Sequence, residues 1–192
     1  MDALNIAKEK TALVAIDLQK GIVGMPTRPH DAQAVVRNAA KLADTLRRND
    51  MPVFLVRVTP SRDLKDGLRP MADQSSGMRG IMPPDWSEIV PEMNPRESDF
   101  VVTKRQWGAF YGTELDLQLR RRGLDTIILC GIATDIGVES TARFAYEYGY
   151  QQIFAEDAMT AISAEGHQHA VKEIFPRLGR VRTTEEIIAA LE

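Results

Sequence analysis

Residues 126–150 read TIILCGIATDIGVESTARFAYEYGY, and the reading of this stretch decides the fold. It opens with the apolar run Ile127, Ile128 and Leu129, tightens at Gly131, and resumes with Val138, Ala142, Ala145 and Tyr146 near one face of a helical repeat. That is the order strand, turn, helix. Such a turn brings the first free N–H groups of a helix to the C-terminal edge of a parallel sheet, where they stabilise an anion or a developing negative charge.

Working outward toward the N-terminus, Ala12 to Leu18 (ALVAIDL) is apolar at both phases of the alternation, as expected for a strand covered by helices on both faces. It runs out into Asp17, Leu18 and Gln19, and a carboxylate at the end of a buried strand is not there to fill core. Residues 31–49 repeat Val35, Ala39, Leu42 and Leu46, which predicts a helix with Asp31 in its opening turn and basic residues near its end. Pro52 to Val58 (PVFLVRV) is a second strand and completes a βαβ unit. Asp99 to Lys104 (DFVVTK) is a third, followed by Arg105, Trp107, Phe110, Tyr111 and a helix from Thr113.

On the other side of the opening stretch, Gln152 to Ala158 reads as a strand, Ser163 to Phe175 as a helix, and Val181 to Leu191 as a short strand and closing helix. The whole predicts a doubly wound, mainly parallel six-stranded α/β sheet with helices on both faces, a Rossmann-like three-layer sandwich, in a single domain over residues 1–192. Only residues 59–98 lack periodicity. They hold Pro60, Pro70, Pro83, Pro84, Pro91 and Pro95, with Met71, Met78, Met82, Met93 and Trp86. Forty residues exceed a routine connector. Either the segment wraps over the C-terminal edge of the sheet and lines or covers a pocket, or it is a surface excursion with a short helix around residues 86–89.

The composition narrows the partners. A chain of 192 residues, 44% hydrophobic and with a formal net charge of -3, is long enough to bury a full core, and its near-balanced charge gives no electrostatic reason to expect nucleic acid. No stretch approaches the roughly 20 apolar residues of a membrane span, and the first residues do not follow a signal-peptide pattern, so a cytoplasmic location is expected. Cys130 is the single cysteine, which excludes an intrachain disulfide. No G-x-G-x-x-G or Walker pattern follows a strand, so no nucleotide cofactor is expected. His167 and His169 are two apart, off a common helical face, and His30 stands in a loop, so no metal site is expected. A small molecule is the expected partner.

Ligand sites in open α/β sheets lie beyond the strand C-termini. Asp17, Lys104 and the turn at residues 132–137 can therefore converge. Asp17 can take or give a proton, and Lys104 can hold that carboxylate ionised or stabilise charge on a substrate. A structural salt bridge at the sheet edge is the alternative. Asp157, after the fifth strand, reads as a helix cap or a pocket-edge carboxylate.

Three blocks carry a resemblance. They are strand-Asp17-Leu18-Gln19; K-x-x-x-x-A-F-x-G-T-x-L with L-R-x-x-G, from Lys104 to Gly123; and C-G-I-A-T-D-I-G-V-E-S-T-A-R, from Cys130 to Arg143. Together they resemble the isochorismatase-like hydrolase superfamily over nearly the whole chain. Most members of that superfamily, including nicotinamidases and N-carbamoylsarcosine amidohydrolases, are described as using an Asp, Lys, Cys triad. By resemblance Asp17 matches the aspartate and Lys104 the lysine, and Gly137 falls where the nucleophilic cysteine would be. A thiol there would be acidified by the helix start, with backbone donors at hand for an oxyanion. Glycine offers no nucleophile. Cys130, inside the fourth strand, reads as a buried small hydrophobe, and Ser140 and Thr141 as helical hydroxyls bonded to backbone carbonyls.

The resemblance also implies a route that needs no cysteine. True isochorismatases, which hydrolyse the vinyl ether of isochorismate, are described as keeping the aspartate and lysine with glycine at the cysteine position. Protonating the alkene carbon lets water add to the oxocarbenium ion, with Asp17 as the acid and Lys104 orienting it or binding a substrate carboxylate. Isochorismatases typically show G-V-Y-A-H-x-G at the turn, whereas residues 131–137 read G-I-A-T-D-I-G, as in cysteine-bearing members. Arg57, Val58, Thr59 and Pro60 likewise supply neither the isochorismatase glutamine nor the Asp-x-His of nicotinamidase-like metal sites.

Two functions thus stay open: a cysteine-independent hydrolase of a small carboxylated metabolite, and a catalytically silent relative that binds a small molecule. The resemblance further implies a non-proline cis peptide between Ile132 and Ala133 and a homo-oligomer, dimer or tetramer. Arg105, Trp107, Phe110 and Tyr111 can supply an anion contact and ring-stacking surfaces for a planar, acidic substrate, and Gln19, Ile132, Ala133 and Ile136 are further expected substrate contacts. The aromatic side chains among these serve equally well to pack on the next helix or on a subunit partner.

Overall fold

The strands predicted from the sequence form one sheet of six, and their pairings are parallel. They are β1 (Thr11–Ile16), β2 (Val53–Val58), β3 (Phe100–Lys104), β4 (Thr126–Ile132), β5 (Gln151–Thr160) and β6 (Arg180–Arg182), in the spatial order β3-β2-β1-β4-β5-β6. The computed structural model describes residues 4–74 and 82–192. The helices in chain order are α1 (Lys20–Val23), α2 (Ala32–Arg48), α3 (Leu115–Arg121), α4 (Glu139–Glu147), α5 (Ala164–His169), α6 (Phe175–Leu178) and α7 (Thr184–Leu191).

Each strand of the sheet's middle feeds two cores. Leu13, Ala15, Leu55, Ile128 and Ile153 point to one face, where Val35, Ala39, Leu42 and Leu46 of α2 and Ile187 and Leu191 of α7 cover them. Val14, Ile16, Phe54, Leu129 and Phe154 point to the other, under Leu115 and Leu119 of α3, Ala142 and Ala145 of α4, and Phe175 of α6. This two-sided burial is why the strands read as continuous apolar runs.

The helix starts are built as the sequence suggests. Asp31 caps α2 by accepting from the Ala34 N–H, and Thr183 and Glu186 form a capping box at the start of α7. Asp157 closes that same start, its Oδ1 accepting from both the N–H and the hydroxyl of Thr184 at 2.7 and 2.8 Å, so it acts as a cap. The helix predicted over residues 163–175 runs on to Leu178, through a wider π turn at Ala170–Ile174 and then α6. Pro176 does not stop it because it falls in the first turn of α6, where a missing N–H leaves no bond unmade.

Part of the irregular 59–98 segment returns across the end of β1. Val90 N–H donates to the Leu18 carbonyl at 3.0 Å, Lys20 N–H to Glu88 at 2.9 Å and Gly21 N–H to Trp86 at 2.9 Å, with Gln19 and Ile89 bridged antiparallel. Residues 86–89 form no helix there but a strap. Met78 and the rest of residues 75–81 lie outside the described residues. Among the described residues, no helix is long and apolar enough to cross a membrane.

Two backbone features shape the carboxyl edge. Asp17 has φ 54, in the left-handed region, and this breaks the alternation of β1, so that Leu18 and not Asp17 continues the row facing α2. Gly131 has φ +123, and a Cβ added there would lie 2.0 Å from the Ile16 carbonyl oxygen. Only glycine lets β4 approach β1 at this point. Gly131→Ala is therefore expected to destabilise the protein by more than about 3 kcal/mol, read as a lower midpoint in urea unfolding.

Candidate active site

Asp17 leaves the end of β1 and Lys104 closes β3, with β2 between them in the sheet. The lysine Nζ nevertheless reaches Asp17 Oδ2 at 2.7 Å, and the two side chains are only 1% and 7% exposed. Lys104 also donates to the Gln106 carbonyl at 3.0 Å, which among the described residues leaves one ammonium N–H uncommitted. Burial pushes the Asp17 carboxyl up to about 6, against the lowering pull of the Lys104 charge and hydrogen bond. The second oxygen, Oδ1, is buried and meets no hydrogen-bond partner among the described residues. Among the described residues the pair is thus half satisfied, with a carboxyl oxygen and an ammonium N–H still open.

Beside it lies the turn after β4. The Ala133 carbonyl accepts from both Ile136 and Val138, winding residues 134–138 into a π turn that runs into α4. The peptide between Ile132 and Ala133 is cis, as the motif implied. Gly137 faces the ion pair directly: a Cβ added there would sit 3.1 Å from Ile16 Cγ2, 3.3 Å from Asp17 Oδ2 and 3.5 Å from the Trp107 carbonyl oxygen. A side chain at this position would point at the carboxylate. Asp17, Lys104 and Gly137 are brought together.

The expected substrate contacts divide. Ile132 is buried, while Ala133 and Ile136 are half-buried on the turn itself. Gln19 is wholly buried, and its amide is taken up by backbone: Oε1 accepts from Val58 N–H at 2.8 Å, and Nε2 donates to Val58 and Trp86 carbonyls at 3.0 and 3.3 Å. Among the described residues, backbone groups thus engage both polar atoms of its side chain. Phe110 also turns inward. It is buried, its ring 5.5 Å from both Tyr148 and Tyr150, and it belongs to the core under α4. Arg105 is exposed and anchored to Asp66 Oδ2 and the Thr59 carbonyl at 2.7 and 2.6 Å, and Trp107 is exposed beside it.

Neither Thr141 nor Cys130 is free to act as a substitute nucleophile. Thr141 donates to the Gly137 carbonyl at 2.7 Å and accepts from Ala109 N–H at 3.1 Å. Cys130 is fully buried, and burial, with the Asp157 charge adding, pushes its thiol up to about 12.

The structure also assembles a polar group invisible in the sequence. Thr134 Oγ1 lies 2.8 Å from His167 Nδ1, and the His30 ring stands edge-on to His167 at 5.3 Å. Burial, with His30 nearby, pulls His167 down to about 4, so the bond to Thr134 is made by a neutral ring. On the same turn Asp135 presses Oδ2 against Gly166, where a Cβ would be 2.1 Å away, and burial raises its carboxyl. The only sequence signal for this contact was the glycine in the first turn of a helix.

Fold and site together define a doubly wound α/β protein in which an acid, a lysine and the start of a helix meet at the carboxyl edge of the sheet. The Isochorismatase domain model matches residues 11–186, and the chain belongs to the isochorismatase family. It is similar to the uncharacterised isochorismatase family protein YwoC of Bacillus subtilis, 55% identical over 98% of this chain and 97% of the relative. YecD of Escherichia coli O157:H7 is 50% identical over 98% and 100%. An isochorismatase family protein from Burkholderia thailandensis has a solved structure that superimposes with a TM-score of 0.92, at 44% identity over 98% of this chain and 97% of that one.

The geometry at Gly137 can be probed by a thiol. In Gly137→Cys the new sulfur is expected to face Asp17 and Lys104 at a helix start and to react, whereas Cys130 does not. Intact mass after iodoacetamide treatment of the native proteins should show one added carbamidomethyl group in the variant and none in the parent.

Proposed function

We propose that the protein hydrolyses a small carboxylated metabolite without a covalent enzyme intermediate, by proton transfer from Asp17 to an enol-ether-type substrate. The observation that carries this reading is the pairing of Gly137 with Asp17: the position that faces the carboxyl has no nucleophile, while the carboxyl has a raised pKa and an open oxygen. Protonated Asp17 delivers its proton to the terminal alkene carbon. The oxocarbenium ion that results takes up water, and the hemiketal collapses to a ketone and an alcohol as the water's proton returns to the Asp17 carboxylate. Lys104 keeps the carboxyl oriented through Oδ2 and offers its remaining N–H to a substrate carboxylate.

A second reading is favoured by one feature, the closure of Lys104 onto Asp17 at 2.7 Å. A buried ion pair closed this tightly can be a structural element of the sheet edge, which suits a silent binding protein. The readings separate on a panel of isochorismate, simpler vinyl ethers and amides, with product analysis. Turnover of a vinyl ether is expected, with kcat/KM level below pH 6 and falling about tenfold per unit above it, because the acid form is the active one. Asp17→Asn should lower it at least about 100-fold. Binding without turnover anywhere on the panel would decide for the silent protein.

The same reading includes self-association. Trp107, Tyr111, Phe144 and Tyr148 are exposed, and they gather where the 105–111 loop packs on α4, with Gly108 against the Phe144 ring. Exposed aromatic surface of this kind supports an interface between copies of the chain. Sedimentation is expected to give at least twice the 21.4 kDa chain mass, and Phe144→Glu with Tyr148→Glu to return the monomer.

A further inference from the structure

The Asp17–Lys104 contact has to cross a strand. Adjacent strands lie about 4.8 Å apart, so the side chains bridge roughly 10 Å over the end of β2. The residue paired with Lys104 is Val58, and Thr59 N–H donates to the Lys104 carbonyl at 3.1 Å. The placement of the ammonium therefore follows the placement of Val58.

On the other side, the ladder between β1 and β2 ends early. Its last pair is Ile16 with Val56, followed by Asp17 N–H to the Val56 carbonyl at 2.8 Å, after which Asp17 turns left-handed and the main chain departs. Val58 would then present an N–H and a carbonyl to β1 with no peptide opposite. The Gln19 side chain supplies one: a primary amide carries the same donor and acceptor, and it bonds both groups of Val58. Its second N–H holds the Trp86 carbonyl of the strap. The strap is fixed in turn by main-chain bonds to residues 18–21, by Lys20 bridging Asp85 and Glu88, and by the Trp86 ring lying on Gly21, where a Cβ would be 2.0 Å from its Nε1.

We propose that Gln19 is a positioning residue for the Asp17–Lys104 pair, its side-chain amide standing in for the peptide group missing from the β1–β2 ladder and so fixing the distance between carboxylate and ammonium. This deepens the reading of Asp17 as the acid and rests on it for its functional meaning, but its structural content is testable without substrate.

The experiment is a cycle of carboxyl titrations. Asp17 is labelled at the carboxyl carbon, identified by its loss in Asp17→Asn, and followed by NMR against pH in four folded proteins: the parent, Lys104→Met, Gln19→Leu, and the double variant. In the parent background, Lys104→Met raises the Asp17 midpoint, since the lysine holds it down. In the Gln19→Leu background that rise is expected to shrink to less than half. An equal rise in both backgrounds overturns the proposal, and a merely structural glutamine would give that result while lowering the unfolding temperature. Should Gln19→Leu fail to fold, Gln19→Glu keeps the acceptor for Val58 N–H and loses both donated bonds, and the same comparison with and without Lys104 applies. Vinyl ether turnover is measured separately, so a reduced rise without turnover upholds the positioning role and removes the acid role alone.

Discussion

The bond between Lys104 and Asp17 organises the carboxyl edge of this sheet. Taking a carboxylate and an ammonium out of water costs several kcal/mol per ion, and a pair this deeply buried regains that only with good geometry and further hydrogen bonds. Here the geometry comes from three strands at once. β1 ends in a left-handed residue that lifts the carboxyl off the core row, β3 ends on the lysine, and β2 stops beneath the span between them. Gly131 lets β4 close on β1, which brings Gly137 to within contact of the same carboxyl. The desolvation that makes the pair costly also raises the Asp17 carboxyl above its ordinary range.

Much of this was legible because strands buried on both faces write themselves plainly. Asp17 and Lys104 each interrupt an apolar run at its end, and the glycine at 137 sits at a fixed spacing after β4. Position in the chain says less about where a side chain points. Gln19 is expected from the sequence as a substrate contact, yet the unpaired end of β2 claims its amide. Phe110 and Trp107 look alike in sequence, three residues apart in one loop. α4 and its flanking Tyr148 and Tyr150 lie against the first, so one ring is core and the other is surface.

The contact of His30 with His167 was beyond reach for another reason. It depends on the antiparallel bridge of Arg28 with Ala161, which ties the loop before α2 to the end of β5. Neither residue belongs to a periodic segment that would predict the pairing. The 133–138 turn is consequently gripped from both sides. Ile16 and Asp17 lie along Gly137, while His167 and Gly166 hold Thr134 and Asp135. Two glycines, one on the turn and one on α5, mark the places where backbone and carboxylate come closest.

The central position of β1 has a meaning for how the molecule is made. β1 is an early strand in the chain, but both its sheet neighbours come later, and the lysine that answers its carboxylate is 87 residues further on. Contacts of such sequence separation form slowly, because loop closure precedes their reward. On a ribosome, Asp17 emerges long before Lys104, and the turn bearing Gly137 follows later still. Until β3 and β4 have been synthesised and docked, the carboxylate stays in water with an ordinary affinity for protons. The site therefore acquires its chemistry only when the sheet is complete on both sides of its first strand.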